Sequence, residues 1–262
     1  MGKMPVVLLA GGRGTRLGEF TSVTPKSLIR IGPSPIIQHL IGWFAKYGHD
    51  EFYVLTGYLH EEIEKYFLQA RHAGSRRISI GDDGVKSDKI SQMRCTIHLI
   101  NTGVDSGIAF RVQQAQEFIG DRPFILTYSD GLADVDLDEL AAFHSKMKKS
   151  HGIEATLSAV QPSSRFGVVD MDGQGIVQRF REKPAMHDWV NMGFMVLEPS
   201  IFSRLSGISE KDMLEADIFP QLAQEGKIAA YMHKGEFKAM DSYKDYVELN
   251  GLWSSGKVFW KV

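Results

Sequence analysis

The stretch Val6-Val7-Leu8-Leu9-Ala10-Gly11-Gly12-Arg13-Gly14-Thr15-Arg16-Leu17-Gly18 decides how this sequence folds. Val6 to Ala10 carry no alternating polar residue, so they read as a strand buried on both faces. The glycines that follow let the backbone approach a ligand and turn its N–H groups inward. Arg13 and Arg16 add positive charge to the same turn. A glycine turn with two cations, at the carboxyl end of a buried strand, is a cradle for a polyphosphate. The plain alternative is a glycine-rich surface loop. It loses ground because Thr24-Pro25-Lys26 supplies a further basic anchor.

Two phosphate motifs fail here. A dinucleotide fingerprint needs a third Gly where Leu17 stands, and no Gly-Lys-Ser/Thr follows to make a P-loop. Working outward, Ile36, Ile37, Leu40, Ile41 and Phe44 recur at helical spacing after Pro35, and Gly48 stops that helix. A strand at 52–55 and a helix at 59–69, with Ile63, Phe67 and Leu68 inward, complete a βαβα start. That pattern implies a parallel sheet with right-handed crossovers. A charged excursion at about 71–94 reads as exposed, with a short strand at 77–80. Further strands are expected at 96–100, 124–128, 155–160, 190–197 and 228–233. Helices are expected at 108–119, 136–149 (Leu137, Leu140, Phe143 and Met147 inward), after Pro199, at 214–224 and at 243–253. Asp172-Gly173 reads as the turn of a hairpin formed by 166–170 and 176–180. No linker divides the chain, so 1–262 reads as one domain.

Composition narrows the function. The 262 residues are 43% hydrophobic and 24% charged, an ordinary globular balance. A net charge of -2 argues against a general nucleic-acid binder, so positive charge must be local. The single cysteine, Cys95, rules out an internal disulfide and reads as a small apolar residue. His98 alternates with apolar neighbours and reads as structural. No signal-peptide pattern and no membrane-length apolar run is present, so a cytoplasmic protein with no membrane partner is expected.

Two carboxylates stand out. Asp130 directly follows a buried strand, where ligands bind in open α/β sheets, and Asp241 follows Lys238-Ala239-Met240. Joining a nucleoside triphosphate to a second phosphate means in-line attack between two anions. That needs positioning and positive charge rather than a protein nucleophile. Mg²⁺ suits such a site, because it takes one or two carboxylates plus phosphate oxygens. Singly, each part has an ordinary reading: Asp130 as a turn residue, Asp241 as the cap of the last helix, Glu182-Lys183 as a surface pair.

Together they resemble the sugar-1-phosphate nucleotidyltransferases. The resemblance rests on Leu9 to Leu17, Thr24-Pro25-Lys26, Leu126 to Gly131, Arg165-Phe166-Gly167, Glu182-Lys183-Pro184, Asn191-Met192-Gly193-Phe194, Met240-Asp241 and Gly251-Leu252-Trp253. Arg-Phe-Gly and the closing stretch are similar to the glucose-1-phosphate cytidylyltransferase branch. This likeness implies an α/β, Rossmann-like, mixed but mostly parallel sheet flanked by helices, the nucleotide-diphospho-sugar transferase fold. It implies CTP and a small phosphorylated substrate, glucose 1-phosphate foremost, as partners. It also implies Mg²⁺ as cofactor and a homo-oligomer.

By matching position, Arg16 and Lys26 are the catalytic cations, and Asp130 with Asp241 holds the metal. Leu9, Ala10, Gly11, Gly12, Gly14, Thr15, Thr102, Gly103, Arg111 and Ser129 join those cations around the nucleotide. Tyr128, Gly167, Glu182, Lys183 and Asn191 meet the sugar phosphate. The chain departs from the pattern at Ile108-Ala109-Phe110 before Arg111, at Ser129, and at Met192, which puts bulk where the sugar pocket usually has Gly. Another nucleotide (UTP or dTTP), a non-sugar phosphate or phosphonate acceptor, or a non-catalytic nucleotide-sugar-binding homologue stay open as alternatives. A glycosyltransferase is disfavoured, because Ser129-Asp130-Gly131-Leu132 lacks an Asp-x-Asp pair.

Overall fold

The computed structural model describes residues 3–72, 78–81, 84–86, 95–164 and 166–260. A seven-stranded sheet runs Ile228–Met232, Ala155–Val160, Val190–Leu197, Phe124–Tyr128, Val6–Ala10, Glu51–Thr56 and Thr96–Asn101 in spatial order. Val190–Leu197 is antiparallel to both of its neighbours, and the other pairings are parallel. The expected mixed, mostly parallel α/β sheet is therefore the observed one.

Val6–Ala10 lies near the middle and is buried along its length. Its side chains alternate between two cores, as a strand's must. Val6, Leu8 and Ala10 enter a core built with Ile36, Leu40, Phe44, Ile63, Phe67 and Leu249. Val7 and Leu9 enter another, with Ala109, Val112, Ile201, Leu214 and Leu222. Different helices thus cover the two faces. The chain lays Glu51–Thr56 and Thr96–Asn101 on one side of the first strand, then crosses to lay Phe124–Tyr128 on the other. This reversal of strand order opens a crevice at the strands' carboxyl ends. Both the glycine turn and Ser129-Asp130 emerge there.

Most expected elements are present, with instructive differences. The helix Ile36–Lys46 buries all five predicted residues and also Trp43, whose Nε1 donates to Val135 O at 3.2 Å. The 108–119 helix is two pieces, Ile108–Gln114 and Gln116–Ile119, broken at Ala115. The 214–224 helix is likewise two pieces: one wide turn, Leu214–Ile218, and then Phe219–Gln224. In Leu137–His151 the residue facing inward beside Leu137 and Leu140 is His144, while Phe143 and Met147 are only half-buried. The reason is polar: His144 bonds to Thr156 Oγ1 and Glu198 Oε1, both at 2.9 Å. The hairpin pairs Val168–Met171 with Val177–Arg181, and its turn closes by Gly175 N–H donating to Asp172 O. The positive φ falls on Gly175 rather than Gly173.

Cys95 is buried in the first core, and His98 stacks on Tyr53 with ring centroids 4.5 Å apart, both as expected. Within the excursion, Ile78–Gly81 pairs with Gly84–Lys86. The exposure expected of 71–94 lies outside the described residues, as does Arg165. Among the described residues no helix is long and apolar enough to cross a membrane.

Candidate active site

The carboxylates are brought together by a two-stranded ladder. Gly131–Ala133, just after Asp130, pairs antiparallel with Phe237–Ala239, just before Asp241. Met240 N–H donates to Asp130 O at 2.8 Å, which fixes the register at the site itself. Ser242, not Asp241, caps the closing helix Tyr243–Ser254 in a reciprocal box with Asp245. Asp245 Oδ2 also accepts from Asp241 N–H at 3.1 Å. With capping assigned to its neighbours, the Asp241 side chain is left for the site.

Both cations reach these acids. The Lys26 ammonium donates to Asp130 Oδ2, and to Asp241 Oδ1 at 2.7 Å. Arg16 Nη1 donates to the other Asp241 oxygen at 3.1 Å. Lys26 is 14% exposed and the two aspartates about a quarter, so water screens these pairs little on the lysine side. Phe20 packs against Tyr243 and Tyr246, with ring centroids 5.5 Å apart in each pair. That contact ties the turn carrying Arg16 to the helix behind Asp241.

The two aspartates suit a divalent ion, since an oxygen of each already meets one positively charged atom. Among the described residues no group of three or more His, Cys, Asp or Glu could hold a metal. An ion here would complete its shell with phosphate oxygens, as Mg²⁺ commonly does.

Beside this cluster lies a cavity of about 450 Å³, lined by residues that include Leu9 to Arg16, Lys26, Ser106, Arg111 and Tyr128 to Asp130. A larger cavity, about 980 Å³, is lined by Gln113, Gln116, Glu117, Phe118 and Phe202 among others. Its lining carries no lysine or arginine among the described residues, so it offers a triphosphate no countercharge.

Most expected nucleotide-binding residues frame the smaller cavity. Gly12 is exposed, and a Cβ on it would meet nothing within 4 Å, so its backbone is open to a ligand. Arg111 is buried, and its guanidinium donates to the carbonyls of Gly11, Thr56, Gly103, Val104 and Ser106 and to Thr102 Oγ1. Burial pulls its pKa below the ordinary arginine value. A Cβ on Gly11 would lie 2.1 Å from Arg111 Nη1, so only glycine fits over this cation. Arg111 thus shapes the pocket by gathering loop carbonyls. Ser129 acts similarly, its hydroxyl donating to Leu9 O at 2.7 Å across two strand ends. Arg13 pairs with Asp105 across the mouth at 3.1 Å.

The expected sugar-phosphate residues divide into two groups. Tyr128 lines the cavity, and its ring lies against Gly193, whose N–H donates to Asn191 Oδ1 at 2.9 Å. Gly167, Glu182 and Lys183 sit on the exposed hairpin instead, where Lys183 pairs with Glu182 at 3.2 Å. Neither these three nor Asn191 lines the cavity. Met192 does not add bulk to a pocket: its side chain is 2% exposed and belongs to the first core. The sequence reading missed Glu215, which accepts a hydrogen bond from the Tyr128 hydroxyl. Burial first, then Glu215 and Asp130, push the Tyr128 pKa far up, so the phenol stays protonated.

A cationic glycine cradle at a strand-order reversal, facing two paired carboxylates, defines a nucleotidyltransferase. The chain belongs to that family: the family model described as Nucleotidyl transferase matches residues 5–260. Among its relatives is a probable glucose-1-phosphate cytidylyltransferase of Bacillus subtilis (strain 168). It is 36% identical over 259 residues, which cover 99% of this chain and all of that protein. The glucose-1-phosphate cytidylyltransferase of Salmonella typhi is 34% identical, covering 98% of this chain and 99% of that one. The solved structure of HddC from Yersinia pseudotuberculosis shares the fold, with a TM-score of 0.68 at 20% identity, covering 96% of this chain and all of that one.

Proposed function

We propose that this enzyme joins CTP to a sugar 1-phosphate, glucose 1-phosphate foremost, giving a CDP-sugar and pyrophosphate. The convergence of Arg16 and Lys26 on Asp130 and Asp241 beside the glycine cradle carries this reading. Full-length likeness to two cytidylyltransferases supports the choice of base and acceptor. A phosphate oxygen of the acceptor forms a bond to the α-phosphorus. The bond from that phosphorus to the oxygen bridging the β-phosphorus breaks, and pyrophosphate leaves with the electron pair. No protein nucleophile is required.

Repulsion between two anions is the obstacle, and the residues answer it. The open Gly12 backbone and the neighbouring N–H groups receive the triphosphate. Arg16 and Lys26 offset its charge, which matters most in the transition state. Tyr128 and Asn191 bound the acceptor's side, and Glu182 with Lys183 on the hairpin meets its phosphate. Asp130 and Asp241 would hold Mg²⁺, whose chemistry is to polarise phosphoryl oxygens and neutralise developing charge. In this reading 1–262 acts as one catalytic unit, in the cytoplasm and as a homo-oligomer.

The deciding experiment offers the purified enzyme CTP, UTP, dTTP or GTP with glucose 1-phosphate and Mg²⁺ and measures pyrophosphate. Release with CTP alone is expected. Release with only UTP or dTTP removes the cytidylyl assignment, and none with any nucleotide removes glucose 1-phosphate as acceptor.

A further inference from the structure

We infer that Glu215 is a positioning residue for the acceptor pocket, acting through Tyr128; this rests on the proposed function. Tyr128 ends a central strand two residues before Asp130, and its ring is a wall of the phosphate cavity. Two contacts hold that ring. One is the backbone of Gly193, at φ +84, where a Cβ would stand 2.2 Å from Tyr128 Cδ2. The other is Glu215, which takes the phenolic hydrogen bond.

Glu215 is an odd choice for stability alone. Its second oxygen, Oε2, is buried without a hydrogen-bond partner among the described residues. A buried carboxylate oxygen left unpaired opposes folding. It also sits in the Leu214–Ile218 turn, whose hydrogen bonds span one residue more than an α-helix's, a rare geometry frequent at functional sites. The widened turn presents Glu215 to Tyr128, while its neighbours Leu214 and Ile218 remain in the core. An unpartnered oxygen and a rare widened turn coincide at one side chain whose described contact is with a pocket wall. The ring orientation that they fix is what a sugar phosphate lying beside Asp130 would encounter.

The test measures steady-state kinetics of Glu215→Ala, Glu215→Gln, Tyr128→Phe and the Glu215→Ala/Tyr128→Phe double variant, with thermal unfolding alongside. In Glu215→Ala the KM for glucose 1-phosphate should rise roughly tenfold, the scale set by losing one hydrogen bond. The KM for CTP should stay within twofold. Glu215→Gln keeps an acceptor oxygen and should recover most of the loss. Tyr128→Phe should match Glu215→Ala, and the double variant should be no worse than either, because one interaction is removed in all three. An acceptor KM within twofold of wild type, an equal shift in the KM for CTP, or additive losses in the double variant would overturn the assignment. The wild-type control keeps this separate from the substrate reading. If only another nucleotide and sugar phosphate pair supports turnover, the same four-way comparison on that pair decides Glu215.

Discussion

Lys26 touches an oxygen of each aspartate, so in the free enzyme its ammonium sits where a bound cation would. That placement gives Lys26→Met two opposite consequences. Triphosphate use should weaken, with kcat/KM for the nucleotide falling roughly a hundredfold, because a charge-assisted contact is lost. Mn²⁺ binding to the enzyme without nucleotide should tighten, because Asp130 and Asp241 then lose the ammonium that lies between them. Titration followed by the Mn²⁺ electron spin resonance signal checks the second point, and unchanged affinity would contradict it. The four charged residues were legible in combination, through the resemblance, whereas singly Asp130 and Asp241 each had an ordinary reading. Arg111 was legible as a pocket residue but not in its manner of acting, since its partners are backbone carbonyls that no side-chain pattern encodes. Glu215 carried no signal: in Leu214-Glu215-Ala216-Asp217-Ile218 it reads as the polar face of an ordinary helix.

At the scale of elements, the strands were the most readable. Val190–Leu197 and Ala155–Val160 match their expected limits, because apolar-rich runs that stop at Glu198-Pro199 and Gln161-Pro162 leave little choice of ending. Helix breaks were not readable. Ala115 is a good helix former, so propensity gives no hint of the interruption there. The closing helix gives a quantitative test. Ser242→Ala removes its capping box and should cost about 1 kcal/mol. Thermal unfolding should fall by roughly 2–4 °C for a chain of this length. Because Asp245 binds the N–H groups of both Asp241 and Ser242, kcat should fall as well. A lowered unfolding temperature with an unaltered kcat would show that the cap does not position Asp241.

At the scale of the whole molecule, three buried histidines set the response to acid. Desolvation lowers the pKa of His39, His49 and His144 below 6.5. Below that value the unfolded chain binds protons that the fold refuses. Stability is therefore full above pH 6.5 and declines as pH falls from there toward the lower folded values. The slope is about 1.4 kcal/mol per pH unit for each histidine still neutral in the fold. Unfolding temperatures measured from pH 7.5 down to 5.5 should decline, and a flat or rising series would contradict this. None of this was legible beforehand. His39 and His49 bond to the Ile31 and Met4 carbonyls, and burial of a histidine depends on what the fold stacks over it.

The ladder between Gly131–Ala133 and Phe237–Ala239 also bears on when the catalyst comes into being. Lys26 and Asp241 are 215 positions apart. A nascent polypeptide on the ribosome exposes its cradle, Lys26 and Asp130 while Asp241 is still untranslated. On the proposed chemistry such an intermediate cannot consume nucleotide, so turnover waits until Asp241 has emerged and the ladder has closed.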